Sequence, residues 1–228
     1  MKNLSFSIGA ALLLLLLPIL APAETPPPEV LTAAEAGLSR YLSEIPPEEL
    51  VNLGFPPGAD LLAARVGEPW PLYTITPDAL LSAAEDTDVE TLVSPTGLWY
   101  FPVILDGSWL NIITVDRMEG EWEAVALGRA PLASELEKIT RQWPKANGYT
   151  PKLVAVYQAA AYFFTVPEKN TRNFTPLTFD GIGFGGYLQK SLPEYSATAD
   201  LSELLAPLKE AVEVNIAAHR AAGKGGEE

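Results

Sequence analysis

Apolar residues recur at helical spacing near the start of the chain. Val30, Leu31, Ala34, Leu38, Leu42 and Ile45 fall on one side, with Glu35, Arg40 and Glu44 on the other. The spacing predicts an amphipathic helix over 29–45, stopped by Pro46 and Pro47. A second short helix is expected to begin at Pro47, where a missing N–H is harmless, and to end at Gly54. Residues 56–60 (PPGAD) read as a turn and 61–66 as a further helical stretch.

From Trp70 the period shortens. Residues 71–76 read as a strand, 77–85 as a short helix and 85–90 (EDTDVE) as an acidic loop. Three strands are then expected, over 98–105, 109–117 and 121–128. The turns between them are Asp106-Gly107 and Glu119-Gly120, residue types that accept the left-handed backbone of a tight hairpin. Two-residue turns set a register in which Ile104 faces Trp109, Tyr100 faces Ile113, Val115 faces Ala124 and Ile113 faces Ala126. One face then carries Tyr100, Ile104, Trp109, Asn111, Ile113, Val115, Trp122, Ala124 and Ala126. The other carries Trp99, Phe101, Val103, Leu110, Ile112, Val125 and Leu127. Both are mostly apolar, whereas a sheet wet on one side alternates cleanly. Something covers both sides, or one side is a binding surface. Pro102 cannot donate to a ladder, so its strand is expected at an edge or to be bulged there.

Further on, Leu132, Leu136, Ile139 and Trp143 mark a helix over 131–142 that Pro144 ends. Residues 152–166 are β-branched and aromatic. They read as one bent strand or two, with 173–180 as another strand and 181–187 (GIGFGGY) as a loop. A last helix is expected over 202–220, started or kinked by Pro207, and residues 223–228 have the composition of a disordered tail. The order gives an α+β fold: a mostly antiparallel sheet, a meander of hairpins, packed with helices. It forms one domain over 29–222, helical over 29–66, sheet-containing over 70–190, with a C-terminal helix over 200–220.

The first 23 residues have another character. Lys2, the apolar run over 8–20 and the small residues Ala21 and Ala23 read as a secretory signal cleaved before Glu24. The run is short for a membrane span and holds Pro18. After cleavage no membrane span is expected, and the prolines of residues 24–28 form a stiff linker. The expected location is the periplasm or the secreted space of a bacterial envelope. Zero cysteines exclude disulfides, thiolate nucleophiles and thiolate metal sites. The formal net charge of −14 argues against nucleic acid and anionic lipid as partners.

Few constellations remain for chemistry. The single histidine, His219, belongs to the last helix, and its helix-end position reads as solvated rather than catalytic. One His without Cys builds no zinc site, and no metal or other cofactor is expected. Gly181, Gly183 and Gly186 match G-x-G-x-x-G, but Pro193 follows too soon for the helix a dinucleotide site requires. Asp86, Asp88 and Glu90 imitate a calcium loop whose sixth and twelfth positions, Thr91 and Gly97, break the pattern. Asn173-Phe174-Thr175 is a glycosylation sequon without significance in a bacterial protein. Glu119, Glu121 and Glu123 at a hairpin tip, with Asp106 and Asp116 at strand ends, are the carboxylates a glycosidase would need. Nothing places two of them in a cleft.

The aromatics Trp70, Trp99, Tyr100, Trp109 and Trp122 fall within one sheet. They read as core residues or as a binding surface, and the small Ala124, Ala126 and Gly128 leave room for a helix, that over 131–142, or for a ligand. The functional expectation is a non-catalytic envelope module that binds a protein partner or small ligand, with Trp99, Tyr100, Trp109, Trp122 and Asn111 as candidate binding residues. The alternatives are a carboxylate-dependent hydrolase acting on a glycan, and an envelope assembly factor.

Overall fold

The structure is a computed structural model that describes residues 25–177 and 199–224. Prolines open the first two helices, α1 (Pro28–Glu44) and α2 (Pro47–Asn52), at positions that need no N–H. Residues 61–66 are not a helix. One 3-10 turn over Leu61–Ala63 gives way to β1 (Arg65–Val66). Arg65 pairs with Ile104 and Val66 with Val103, and this long-range pairing overrides a weak local preference.

β2 (Trp70–Ile75) leads into α3 (Pro77–Ser82), where the Thr76 hydroxyl accepts from the Ala79 N–H at 3.3 Å. The meander follows as β3 (Val93–Leu105), β4 (Ser108–Met118) and β5 (Glu121–Gly128). Both of its turns have two left-handed residues, Asp106 (φ 50°) with Gly107 (φ 82°) and Glu119 (φ 51°) with Gly120 (φ 99°), as the dipeptides predict. Then come α4 (Ala130–Gln142), β6 (Lys152–Val156), β7 (Ala161–Thr165), β8 (Thr175–Pro176) and α5 (Leu201–Lys224). The run over 152–166 is thus two strands, joined by a 3-10 turn over Tyr157–Ala159. α5 continues through Pro207 and takes in Gly223 and Lys224, expected to belong to the tail. The segment read as a signal, the expected loop over 181–187, residues 178–180 of the expected strand and residues 225–228 lie outside the described residues.

The sheet order is β5-β4-β3-β2-β6-β7-β8, with β1 beside β3. Every pairing is antiparallel except β2 with β6. The fold is α+β, with helices on both faces of this mixed sheet. One face carries Trp70, Leu72, Tyr100, Ile112, Leu153, Ala155, Tyr162 and Phe164, packed with Leu132, Leu136 and Ile139 of α4. The alternate residues point the other way. Trp99, Phe101, Val103, Ile113 and Val115 meet α1 and α2, while Ile75, Val154, Val156 and Phe163 meet α3 and α5.

The meander's register departs from the two-residue-turn expectation through two bulges. In β4, Leu110 is extra, because Val103 pairs with Asn111 but Ile104 with Trp109. In β5, Val125 is extra, because Thr114 pairs with Ala126 but Val115 with Ala124. Tyr100 therefore faces Thr114 rather than Ile113, and Ile113 faces Leu127 rather than Ala126. Each bulge moves the residues beyond it to the opposite face. Pro102 lies in an interior strand with the Leu110 bulge close by. Its carbonyl accepts the Gly67 N–H at 2.7 Å, so its missing N–H faces the gap between β1 and β2 and removes no bond to β4.

Candidate binding site

The five candidate binding residues are divided between the two faces. Trp99 (5% exposed) and Asn111 (0%) lie beneath α1 and α2, and half-buried Trp122 flanks them. Tyr100 (2%) and half-buried Trp109 lie on the α4 face. They form no common open surface. Asn111 has a structural role: its amide donates to the Leu53 carbonyl at 2.7 Å, and its own oxygen accepts the Ile112 N–H at 2.8 Å. This ties the end of α2 to the sheet. Trp122 does border open space. With Ala33, Ala36, Gly37, Arg40, Glu123 and Ala124 it lines a shallow cleft of about 210 Å³ between α1 and β5.

The other motifs resolve into local structure. The side chain of Asn173 is buried, with its amide donating to Thr175 and Ala199 and its oxygen accepting from Val166, so the sequon is sealed inside the fold. Asp88 accepts from the Thr171 hydroxyl, and Glu90 pairs with Lys152. The acidic loop thereby spends two of its carboxylates on separate anchors. His219 is exposed on the distal part of α5.

A polar cluster that sequence spacing does not disclose gathers on the α4 face around Arg129. This residue joins β5 to α4 in the left-handed region (φ 70°), a conformation that disfavours a side chain. Its Nη1 donates to the Tyr162 hydroxyl. Its guanidinium carbon lies 5.4 Å from the Tyr100 ring centre and 5.8 Å from that of Tyr162. The two hydroxyls are 3.1 Å apart. Both tyrosines are nearly fully buried, Arg129 is half-buried and the nearby Tyr157 is 49% exposed. The cluster thus runs from the core to solvent.

Burial pushes the Tyr100 phenol far above its ordinary range; Tyr162 adds to the effect and Arg129 partly opposes it. Tyr157 is raised as well, by burial first and then by Tyr162, with Arg129 lowering it and Asp116 raising it. Asp116 is two residues along β4 from Thr114, the partner of Tyr100, and hence on the same face. The site therefore offers phenols whose protons are held tightly at Tyr100 and Tyr157, the Arg129 guanidinium and, at its margin, Asp116. Among the described residues no carboxylate oxygen lies within 4.0 Å of an Arg129 nitrogen.

The sequence signal for this cluster is faint. Tyr100, Arg129 and Tyr162 come from β3, the β5–α4 joint and β7, and only the sheet order unites them. A polar residue between a strand and the Ala130-Pro131 helix start is its single local mark. No protein-family model matches the chain, and neither a curated protein nor a solved structure matches it.

Among the described residues no helix is long and apolar enough to cross a membrane.

Proposed function

We propose that the chain is a non-catalytic binding module that works in the periplasm or the secreted space. The observation that carries this reading is the makeup of the Arg129 cluster. A guanidinium beside tyrosine hydroxyls, one of them the hard-to-ionise Tyr100, suits holding a ligand by hydrogen bonds and is poorly suited to taking a proton at neutral pH. The carboxylates at the hairpin tips, Asp106, Glu119, Glu121 and Glu123, are exposed, which favours solvation over acid catalysis. Export is supported by the N-terminal charge, apolar run and Ala-Pro-Ala sequence.

The test combines a thermal-shift screen of the exported protein with turnover assays on the same compounds, glycans included. Ligand-dependent stabilisation without product is the expected result. Hydrolysis abolished by Asp116→Asn or by replacement of any one other acid would overturn the reading. N-terminal sequencing of the exported chain is expected to begin at Glu24, and an intact Met1 start would remove the support for export.

A further inference from the structure

We infer that Arg129 is the anchor of a small-molecule carboxylate site, with Tyr157 as its aromatic wall. The inference rests on the binding reading above and names the chemistry of the ligand. An arginine carries five N–H donors in a planar fork. Here one is spent on the Tyr162 hydroxyl, and the ring contacts with Tyr100 and Tyr162 hold the plane in place. The remaining donors meet no carboxylate among the described residues. Structural arginines of this chain are used otherwise: Arg141 pairs with Glu137, Arg172 with Asp200, and Arg40 caps the Ala124 carbonyl. Among the described residues Arg129 is also one of four non-glycine residues with positive φ, and two of the others are the hairpin-turn residues Asp106 and Glu119. Backbone in that region is held at a cost by its surroundings, and such residues concentrate at ligand-binding sites.

Charge decides between oxyanions. The protein is strongly acidic at −14, and Asp116 stands close enough to raise Tyr157. A phosphate group carries about −1.5 to −2 at pH 7. A carboxylate carries one charge, makes the same two-pronged contact and meets less repulsion. The half-exposed Tyr157 ring, within electrostatic reach of the Arg129 charge, offers a flat apolar surface to the organic part of such a molecule.

The probes are benzoate, its uncharged methyl ester and inorganic phosphate, titrated at constant ionic strength into the full exported chain and followed by amide NMR shifts. Benzoate is expected to give a saturable response near Arg129, phosphate a weaker one and the ester none. Arg129→Gln is expected to weaken benzoate at least tenfold. Arg129→Lys, which keeps the charge and loses the fork, is expected to weaken it severalfold, and Tyr157→Ala likewise. Tyr157 is exposed, so that variant remains informative if Arg129→Gln does not fold. Equal responses to benzoate and the ester, tighter binding of phosphate, or unchanged affinity in Arg129→Lys and Tyr157→Ala would overturn the assignment. Should other ligands bind while benzoate does not, this inference fails and the binding reading stands. Should turnover be found while benzoate still binds at Arg129, the reverse holds.

Discussion

Gly37 of α1 lies against Ala124 of β5 so closely that a Cβ added to Gly37 would fall 2.1 Å from the Cβ of Ala124. The room beside Ala124 is thus filled by α1, not by α4, which packs on the opposite face. The contact also brings Arg40 and Tyr41 to the edge strand, where both donate to the Ala124 carbonyl, at 2.7 and 3.1 Å. An edge strand with an occupied carbonyl and a bulge at Val125 is a poor template for another strand. Gly37→Val is expected to push the helix off the strand and cost about 2–3 kcal/mol, which for a chain of this size lowers Tm by roughly 5–10 °C. Calorimetry of the variant checks the figure, and an unchanged Tm would show that α1 is not packed as described.

The Tyr100–Tyr162 pair predicts how stability changes in alkali. A phenol raised in the folded state keeps its proton when the unfolded chain has lost it. Its stabilisation is therefore fully present below the ordinary value near 10 and is lost as pH rises above it, by about 1.4 kcal/mol per pH unit. Urea midpoints across this range should fall less steeply in Tyr100→Phe than in the parent. Tyr162→Phe should cost about 1–3 kcal/mol, because it leaves the buried Tyr100 hydroxyl without its 3.1 Å partner. The double variant should cost less than the sum of the two single ones, since both hydroxyls leave together.

Asn111 separates a structural role from a binding one. Its amide is the link between the Leu53 carbonyl and β4, in a fully buried position. Asn111→Asp places an acceptor against that carbonyl and should destabilise by about 3 kcal/mol or more. Asn111→Leu should cost somewhat less. Chemical denaturation reads both, and neither change should alter ligand binding at Arg129 in protein that remains folded.

Thr165 points the other way. It is fully buried, and its hydroxyl has no hydrogen-bond partner among the described residues. Thr165→Val keeps the shape and the strand preference while removing an unpaired polar group, and should raise stability by about 1 kcal/mol. A loss of stability on the same measurement would mean that the hydroxyl is satisfied in solution.

Legibility in the sequence followed the range of the forces involved. The hairpins at Asp106-Gly107 and Glu119-Gly120 are local, and the dipeptides state them. The helices carry their periodicity and their prolines. The bulges at Leu110 and Val125 have no such mark, since neither is a glycine. Missing them exchanged the faces of half the meander, and with them the apparent company of Tyr100, Trp99 and Asn111. The strand at Arg65–Val66 was hidden for a related reason, because its partner on β3 lies far along the chain. The Arg129 cluster joins three distant segments and was wholly beyond local pattern.

The decisive measurement is the Nε–H resonance of Arg129 in the purified protein during a titration with benzoate. A saturable shift of that signal, absent with methyl benzoate and weakened in Tyr157→Ala, is what a carboxylate seated on the guanidinium produces. A resonance that stays fixed while benzoate is raised to saturation of any other signal would place the ligand elsewhere and contradict the assignment.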